Sequence, residues 1–465
     1  MSDPKKRIVS KFGGSSMADA AAMRRSAAIA MRQKSTVVVV SATYGTTNQL
    51  VEGVEAAASE NSDAVARVVA SIADNHTSIA RDLNADVHTT SKLSQLLDEL
   101  KDLFQKRIEA ARADSDIREV RQLEDAVYGM GERMSSELFT ACLKSIGAHA
   151  VCFDASDVIR TDDRFSRARP DFDVIEDLAV GRLEPLMNTS NQQIVVTQGF
   201  IGSTVSGLRT TLGRGGSDYS AAILAWALNA DILEIWTDVG GVATTDPRIT
   251  ARARPIAELS FQEAAEMATF GAKILHPSTL IPAIWKEIPV YVGSSIDSES
   301  GGTWIYRQVG QAPLVRAVTI RRKQTLLTIT TPDMLNTYGF LFRVFQVFNE
   351  NQVSVDSITT SEISVAMTVD APTLQDQNLI RDLEALGQVG VQQGYALVSV
   401  IGNNINHTPG LSQQIFGELT DINVRMISQG ASKHNFCILV DEDRGEEAVR
   451  RLHARLIETQ PAQKE

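Results

Sequence analysis

Two lysines and one aspartate lie close to glycine in this chain. Lys11 precedes the pair Gly13-Gly14, Asp218 follows the pair Gly215-Gly216, and Lys273 lies in a third segment of the same kind. Transfer of a phosphoryl group requires cations at the transferring group and a residue that holds those cations in place. The three side chains therefore predict phosphoryl-transfer chemistry.

The glycine-rich turns at 13–16 and 213–218 each lead into a predicted helix. Free backbone N–H groups at the start of a helix suit a phosphate. Neither turn fits G-x-x-x-x-G-K-[ST], which excludes a P-loop, and Asp218 stands where the last glycine of G-x-G-x-x-G would fall. Each feature also has a simpler interpretation. A single glycine-rich turn is more often only a connection between a strand and a helix. Lys11 can be an edge lysine that reaches solvent, and Asp218 can be a carboxylate that interacts with the helix dipole.

The elements that must position these residues alternate between strands and helices. The first turn leads to a helix at 18–32, for which Ser15 or Ser16 is the predicted N-cap, and the second leads to a helix at 219–228. Largely β-branched runs, which are typical of parallel strands buried on both faces, predict strands at 8–12, 36–40, 150–153, 193–197 and 232–236. The fold class predicted for this part of the chain is α/β with a largely parallel sheet.

Polar side chains follow the strand at 232–236. Thr237 and Asp238 come directly after it, and the run Thr245-Asp246-Pro247-Arg248 follows a few residues later. Open α/β sheets bind ligands at the carboxyl ends of their strands. The alternative is a simple Asx turn.

The chain beyond residue 301 contains a pattern of short strands and one helix that occurs twice. The first copy has predicted strands at 325–329, 353–358 and 364–370 and a helix at 339–348. In the second copy, Ile422 stands 69 positions after Val353, and Asp441 stands 71 positions after Asp370. Two copies indicate a pair of small α/β units, since a solenoid needs three or more repeats.

The composition excludes several classes of protein. The 465 residues carry 45 lysines and arginines against 57 aspartates and glutamates, a net charge of −12, which disfavours nucleic acid and anionic membranes as partners. Three cysteines without C-x-x-C spacing, Cys142, Cys152 and Cys437, argue against a disulfide scaffold and a zinc site. We find no secretory signal and no apolar run long enough for a membrane span, so a cytoplasmic protein is expected.

Four motifs in this order resemble the aspartate kinase family, most closely its monofunctional lysine-sensitive type. They are residues 11–16 (KFGGSS), 211–218 (TLGRGGSD), 236–248 (WTDVGGVATTDPR) and 270–277 (FGAKILHP). The resemblance implies an amino acid kinase fold, a sheet sandwiched by helices, over 1–300. It also implies two ferredoxin-like ACT units at 315–393 and 394–465, with exchange of strands between them left open.

The activity implied by the resemblance is transfer of the γ-phosphoryl group of ATP, which carries Mg²⁺, to the β-carboxylate of L-aspartate. The product, 4-phospho-L-aspartate, begins the biosynthesis of lysine, threonine and methionine. By resemblance, Lys11 and Lys273 act on the transferring group and Asp218 orients them. Because the β-carboxylate is already ionised at neutral pH, we expect no general base, no covalent intermediate and no metal held by the protein itself.

The resemblance also assigns the binding residues. Arg214 is expected at the α-carboxylate of aspartate and Glu132 at its ammonium group, although Glu132 taken alone would be read as a residue on a solvated helix face. Further substrate contacts are expected from Ser41, Thr47, Gly215, Gly216 and Ser217. Nucleotide contacts are expected from Lys11, Phe12, Gly13, Gly14, Thr237, Asp238, Arg248, Lys273 and Ile274. The family's nucleotide-contacting tyrosine is Ala243 here, which predicts looser ATP binding with activity retained.

The first ACT unit is expected to bind L-lysine as a feedback inhibitor. The matching positions are Met334, Thr337, Phe340, Leu341, Ser354, Val355, Asp356, Ser361 and Glu362. Arg425 stands where Asp356 aligns in the second copy, so only the first copy is expected to bind lysine. A homodimer or tetramer formed through the ACT units is expected. Two alternatives remain: a kinase of the same fold acting on another carboxylate, and a catalytically silent amino acid sensor.

Overall fold

The computed structural model describes residues 6–187, 193–271, 277–310, 312–335, 338–370 and 377–459, with the side chains of 277, 278 and 377 left out. Lys273, Ile274 and Thr337 of the predicted sites lie outside these residues. The described chain forms two compact units. The first unit lies within Met1–Val242, Ala257–Phe261 and Ile274–Gln308, and the second lies within Ala243–Ile256, Gln262–Lys273 and Val309–Glu465.

The first unit is built on an eight-stranded sheet and a two-stranded hairpin. Its strands are β1 (Ile8–Phe12), β2 (Val37–Val40), β3 (Ala150–Phe153), β4 (Ile194–Gln198), β5 (Ile201–Ser203), β6 (Arg209–Thr211), β7 (Ile232–Thr237), β8 (Glu258–Ser260), β9 (Val290–Ser294) and β10 (Gly302–Tyr306). The large sheet has the order β3-β4-β2-β1-β7-β9-β10-β8, and only its β9–β10 pair is antiparallel. The predicted α/β fold with a largely parallel sheet is confirmed.

The helices in this part of the chain are α1 (Ala20–Gln33), α2 (Thr46–Ala58), α3 (Ser62–Asp82), α4 (Val87–Arg112), α5 (Ile117–Tyr128), α6 (Met130–Ser145), α7 (Phe172–Leu178), α8 (Glu184–Met187), α9 (Gly216–Ala227), α10 (Phe261–Thr269) and α11 (Ile281–Trp285). The apolar faces of α1 to α6 form the core of the first unit. All but the first residue of α10 belongs to the second unit. Central strands β1 and β2 are fully buried, as the β-branched runs predict.

The predicted N-cap of α1 is wrong. Ser15 and Ser16 lie inside a short 3-10 helix, Gly14–Met17. The capping residue is Asp19, whose carboxylate accepts the N–H of Ala22 at 2.8 Å. Most of the glycine-rich turn therefore belongs to this 3-10 helix, and α1 begins only after it.

The second unit is built on one six-stranded antiparallel sheet of order β12-β13-β11-β14-β16-β15. Its strands are β11 (Val315–Thr330), β12 (Ser357–Thr360), β13 (Ser364–Asp370), β14 (Gln388–Gly402), β15 (Val424–Gln429) and β16 (Asn435–Asp441). The helices after α10 and α11 are α12 (Phe340–Glu350), α13 (Gln377–Glu384), α14 (Leu411–Gly417) and α15 (Glu442–His453). Among the described residues, no helix of either unit combines the length and apolar character needed to cross a membrane.

Two apolar clusters share the long strands β11 and β14. The inner core contains Leu327 from the second half of β11 and Val389 from the first half of β14. The outer core contains Val318 from the first half of β11 and Val398 from the second half of β14. Along the sequence, the first half of β11 belongs to the outer core, the segment from the second half of β11 to the first half of β14 belongs to the inner core, and the second half of β14 belongs to the outer core again.

The predicted strand at 353–358 is only partly present. Helix α12 ends at Glu350, and the chain reverses through Gln352, whose φ is 55°. Pairing in β12 begins only at Ser357, so Val353 to Asp356 form the return to the sheet. The N–H of Asp356 donates to the Thr368 carbonyl at 2.9 Å.

Candidate active site

The structure brings Lys11 and Asp218 together. Lys11 lies near the end of the central strand β1, and Asp218 lies in the first turn of α9. Lys11 Nζ is 2.6 Å from Asp218 Oδ1, and the side chains are only 10% and 16% exposed. An ammonium group held in this way has a fixed position, which is what stabilisation of a transferring phosphoryl group requires.

Glycines keep the space around this ion pair open. A Cβ at Gly13 would lie 3.6 Å from Lys11 Nζ. Gly213 and Gly215 adopt φ values of 75° and 74°, which residues with a side chain rarely adopt. No described side chain caps the N-terminus of α9, so its backbone N–H groups suit an anion.

Glu132 is buried and does not lie on a solvated helix face. It occupies the first turn of α6 and is 5% exposed. Burial raises the pKa of its carboxyl group to about 8, although a hydrogen bond from the Ala42 backbone and the charge of Lys11 act in the opposite direction. Helix α6 approaches this backbone closely because Gly131 has no side chain: a Cβ there would lie 2.7 Å from Ala42 Cβ.

The loop after β2 carries Ser41 and Thr47. Ser135 on α6 donates to the Ser41 carbonyl at 2.6 Å, which places Ser41 next to the Glu132 helix. Thr47 is exposed in the first turn of α2. Both predicted residues therefore lie on a segment that contacts α6.

A buried histidine, to which no chemistry is assigned from the sequence, supports this loop. His76 is fully buried, and its Nε2 lies 3.2 Å from Thr43 Oγ1. Thr43 Oγ1 in turn lies 2.6 Å from Thr46 Oγ1. Burial lowers the pKa of His76, so the ring is a neutral hydrogen-bonding group, and its long-range contact leaves no motif in the sequence.

Arg214 lies exposed between Gly213 and Gly215. Its guanidinium group forms no ion pair or hydrogen bond with the described residues. A guanidinium fork without a protein partner suits a carboxylate ligand. Ser217 follows closely, and Gly199 leaves room for it, since a Cβ at Gly199 would lie 2.6 Å from Ser217 Cβ.

The predicted nucleotide residues fall in both units. In the first unit, Thr237 ends β7 and donates from Oγ1 to Asp238 Oδ1 at 3.0 Å. Phe12 is fully buried and stacks on Trp236 at 6.5 Å between ring centroids, so its side chain belongs to the core. In the second unit, Arg248 is 84% exposed and its guanidinium binds Asp246 at 2.7 Å.

Asp356 lies in a charged cluster of the second unit. Its Oδ1 is 2.8 Å from Arg321, which also binds Asp370 at 2.6 Å. Burial raises the pKa of Asp356 to about 6; Arg321 acts to lower it and Asp370 to raise it. Its Oδ2 is buried without a hydrogen-bond partner among the described residues.

The other predicted lysine-site residues surround this carboxylate in sequence but differ in exposure. Phe340 is buried in the inner core, and Met334 and Val355 pack against that core. The exposed members are Leu341, Ser354, Ser361 and Glu362. Of the two acidic members, Glu362 is exposed, whereas the side chain of Asp356 is only 11% exposed.

The chain matches two family profiles. That of the amino acid kinase family covers residues 6–294, and that of the ACT domain covers residues 398–456. Lysine-sensitive aspartokinase 3 of Escherichia coli is 44% identical over 97% of this chain and 99% of its own length. Chloroplastic aspartokinase 1 of Arabidopsis thaliana is 35% identical over 97% of this chain and 80% of its own length.

Solved structures agree with these matches. E. coli aspartokinase III in complex with aspartate and ADP (R-state) superposes with a TM-score of 0.86 at 43% identity, covering 97% of this chain and all of that one. The same enzyme in complex with lysine and aspartate (T-state) gives a TM-score of 0.82 over the same shares. The chain belongs to the aspartokinases, within the amino acid kinase family.

Proposed function

We propose that this chain transfers the γ-phosphoryl group of MgATP to the β-carboxylate of L-aspartate and is inhibited by L-lysine. One observation supports the proposed phosphoryl transfer. The ammonium group of Lys11 is held by Asp218, and its positive charge acts to lower the pKa of the buried Glu132 carboxyl group. A fixed cation for the phosphoryl group thus lies near a buried carboxyl group whose ionised form suits the ammonium group of an amino acid.

The chemistry needs charge neutralisation more than proton transfer. The β-carboxylate of aspartate is ionised at neutral pH and attacks without a base. Asp218 is engaged with Lys11, so we assign it to holding the lysine. The Mg²⁺ that arrives with ATP neutralises charge on the β- and γ-phosphates when bound. Lys273 is proposed as the second cation.

Recognition of aspartate is assigned to oppositely charged groups. Arg214, exposed and without a partner among the described residues, is proposed to bind the α-carboxylate, and Glu132 the α-ammonium group. The N–H groups of Gly215, Gly216 and Ser217 and the side chains of Ser41 and Thr47 are proposed to complete the pocket.

The nucleotide residues are proposed from the resemblance. They are Lys11, Phe12, Gly13, Gly14, Thr237, Asp238, Arg248, Lys273 and Ile274. The uncapped start of α9 and the open space at Gly13 support phosphate binding. Because the Phe12 side chain is buried, we assign only its backbone to the nucleotide.

Lysine binding is proposed at the first ACT unit. The buried Oδ2 of Asp356, which has no hydrogen-bond partner in the part of the chain that the structure describes, supports this assignment, because a buried carboxylate oxygen without a partner costs free energy that an ammonium ligand can offset. The domain boundaries of the two ACT units stay predictions, and the interleaved inner and outer cores support exchange of strands between them.

A homodimer or tetramer is proposed through the ACT units. Helix α12 and the residues just before it expose large apolar side chains: Tyr338, Phe342 and Phe345 are 99%, 72% and 42% exposed. Exposed apolar surface of this kind is typical of protein interfaces. A cytoplasmic location is proposed from the three free cysteines, Cys142, Cys152 and Cys437.

A hydroxamate assay tests the function. With MgATP, we expect product from L-aspartate, little from L-glutamate, and loss of activity at millimolar L-lysine. A preference for glutamate would indicate a different carboxylate substrate. No product from either, with the protein folded, would indicate a catalytically silent sensor.

A further inference from the structure

Asp125 is a fully buried carboxylate that the proposed mechanism does not use. It lies on α5 and is 0% exposed. The N–H of Ser166 donates to both of its oxygens, at 3.0 and 2.9 Å. The N–H of Thr211 donates to Oδ2 at 2.8 Å, and its hydroxyl donates to Oδ1 at 2.8 Å.

These three donors come from two segments that lie far from α5 in sequence. Thr211 ends β6 and stands three residues before Arg214. Ser166 lies in the loop that follows β3, with a φ of 73°. The two segments also contact each other, since the N–H of Ala168 donates to the Thr211 carbonyl at 2.9 Å.

The glycine-rich turn that contains Arg214 packs against the segments of Ser166 and Thr211. A Cβ at Gly213 would lie 3.3 Å from the Ser166 carbonyl oxygen. Gly216 donates its N–H to the Gly213 carbonyl at 3.0 Å, so the turn is one short closed segment. A shift of Ser166 or Thr211 therefore moves the backbone on which Arg214 stands.

Holding a carboxylate at this depth is costly. Burial raises the pKa of Asp125 to about 6 despite the hydrogen bonds from Ser166 and Thr211, which act to lower it. No lysine or arginine of the described chain forms an ion pair with it. Charge-assisted hydrogen bonds to three donors offset this cost and fix their positions more strictly than neutral groups do.

We propose that Asp125 is a positioning residue for aspartate binding, which fixes Thr211 and Ser166 and thereby sets the place from which Arg214 binds the α-carboxylate. The inference rests on the proposed function, because it takes aspartate as the ligand of Arg214. Asp125 itself does not touch the substrate.

The variant Asp125→Asn tests this role with little change of shape. The amide keeps the shape but removes the negative charge, and it has one acceptor oxygen where the carboxylate has two. The N–H of Ser166 therefore loses one of its two acceptors, and the remaining hydrogen bonds are no longer charge-assisted. We expect KM for aspartate to rise about tenfold, with KM for ATP and kcat within about twofold. Thr211→Val, which removes only the hydroxyl donor, is expected to raise KM for aspartate less, by about threefold.

A double-mutant cycle with Arg214→Ala decides whether Asp125 acts through Arg214. We expect Asp125→Asn to change KM for aspartate less than about twofold when Arg214 is already absent. The inference would be overturned, with the proposed function intact, if Asp125→Asn raised KM for aspartate equally with and without Arg214. It would also be overturned if KM for aspartate rose in neither Asp125→Asn nor Thr211→Val. An unchanged KM in Arg214→Ala would instead overturn the assignment of Arg214 in the proposed function, and the inference with it.

Discussion

Each of the two units contains a buried carboxylate whose pKa is raised by burial, but the surroundings of the two groups differ. Glu132 in the first unit has a pKa of about 8, and the charge of Lys11 acts to lower this pKa although the two side chains form no ion pair. Asp356 in the second unit has a pKa of about 6 and is bound to Arg321. The first carboxyl group is mostly protonated at neutral pH and forms no ion pair with the described residues, so a cationic ligand favours its ionised form. The second has a cation already in place. A cationic ligand of Asp356 would gain less from charge alone, because the positive charge of Arg321 opposes it.

Replacing the cation of each region should give the largest contrast. Lys11→Ala is expected to lower kcat about 10³-fold, because it removes the fixed charge at the transferring phosphoryl group. Arg321→Gln, the matched change in the second unit, should leave kcat without lysine within about twofold. Initial rates at saturating substrates measure both. Near-normal turnover by a folded Lys11→Ala variant would contradict the role given to Lys11.

Removing the charge of Glu132 should affect binding of aspartate more than turnover. Glu132→Gln is expected to raise KM for aspartate about 100-fold, because the α-ammonium group loses its buried counter-charge. Glu137→Gln on the same helix, at a partly exposed position, serves as the matched control and should change KM less than twofold. Equal effects of the two substitutions would assign Glu132 to the fold and not to the ligand.

The pKa of Glu132 predicts how aspartate binding depends on pH. The ammonium group needs the ionised carboxylate, and with a pKa of about 8 most of the free protein holds the protonated form at pH 6. KM for aspartate should therefore fall by roughly fivefold to tenfold per unit as pH rises from 6 to 8. Glu132→Gln should flatten this dependence; a flat profile in the unaltered protein would show that Glu132 does not meet the ammonium group.

The same group makes a prediction about stability. Its folded pKa lies above the usual value of 4.5, so its contribution to folding is fully present below that value and is lost as pH rises through about 8. Because an ammonium ligand offsets the cost of the ionised form, aspartate should raise Tm more at pH 8 than at pH 6. Thermal unfolding with and without aspartate measures this difference.

Changes at Asp356 should give the smallest effects, restricted to inhibition. Asp356→Asn is expected to raise the lysine concentration for half-inhibition about tenfold and to leave activity without lysine within about twofold. Arg425→Ala, at the corresponding position of the second copy, is the matched control and should leave inhibition unchanged. If both variants lost inhibition equally, the two copies would not differ as proposed.

The sequence predicted the elements near Lys11 better than the surroundings of Glu132. Strand β1 and the buried run Val37–Val40 follow from local patterns, because β-branched runs and glycine turns act over a few residues. The burial of Glu132 depends on Gly131, which lets α6 approach Ala42, and no local pattern distinguishes this from a solvated helix. Only the resemblance pointed to Glu132.

The supporting residues were missed for a related reason. Asp125 and Thr211 lie 86 positions apart, and Thr43 and His76 lie 33 apart, so neither pair forms a motif. The prediction of the N-cap of α1 was wrong for a local reason, because most of the glycine-rich turn belongs to a 3-10 helix that precedes Asp19. Long-range polar contacts are set by the packing of whole helices, which a single sequence does not show.

The interleaved cores of the second unit also affect how it can be modified. The chain enters the inner core at Gln324 and leaves it at Tyr395, and these residues face each other across the β11–β14 ladder. The inner core is therefore a single contiguous insertion whose two ends are neighbours, the arrangement that tolerates excision and replacement. We therefore expect that the insertion can be exchanged between related proteins while the outer core keeps the first half of β11 and the second half of β14.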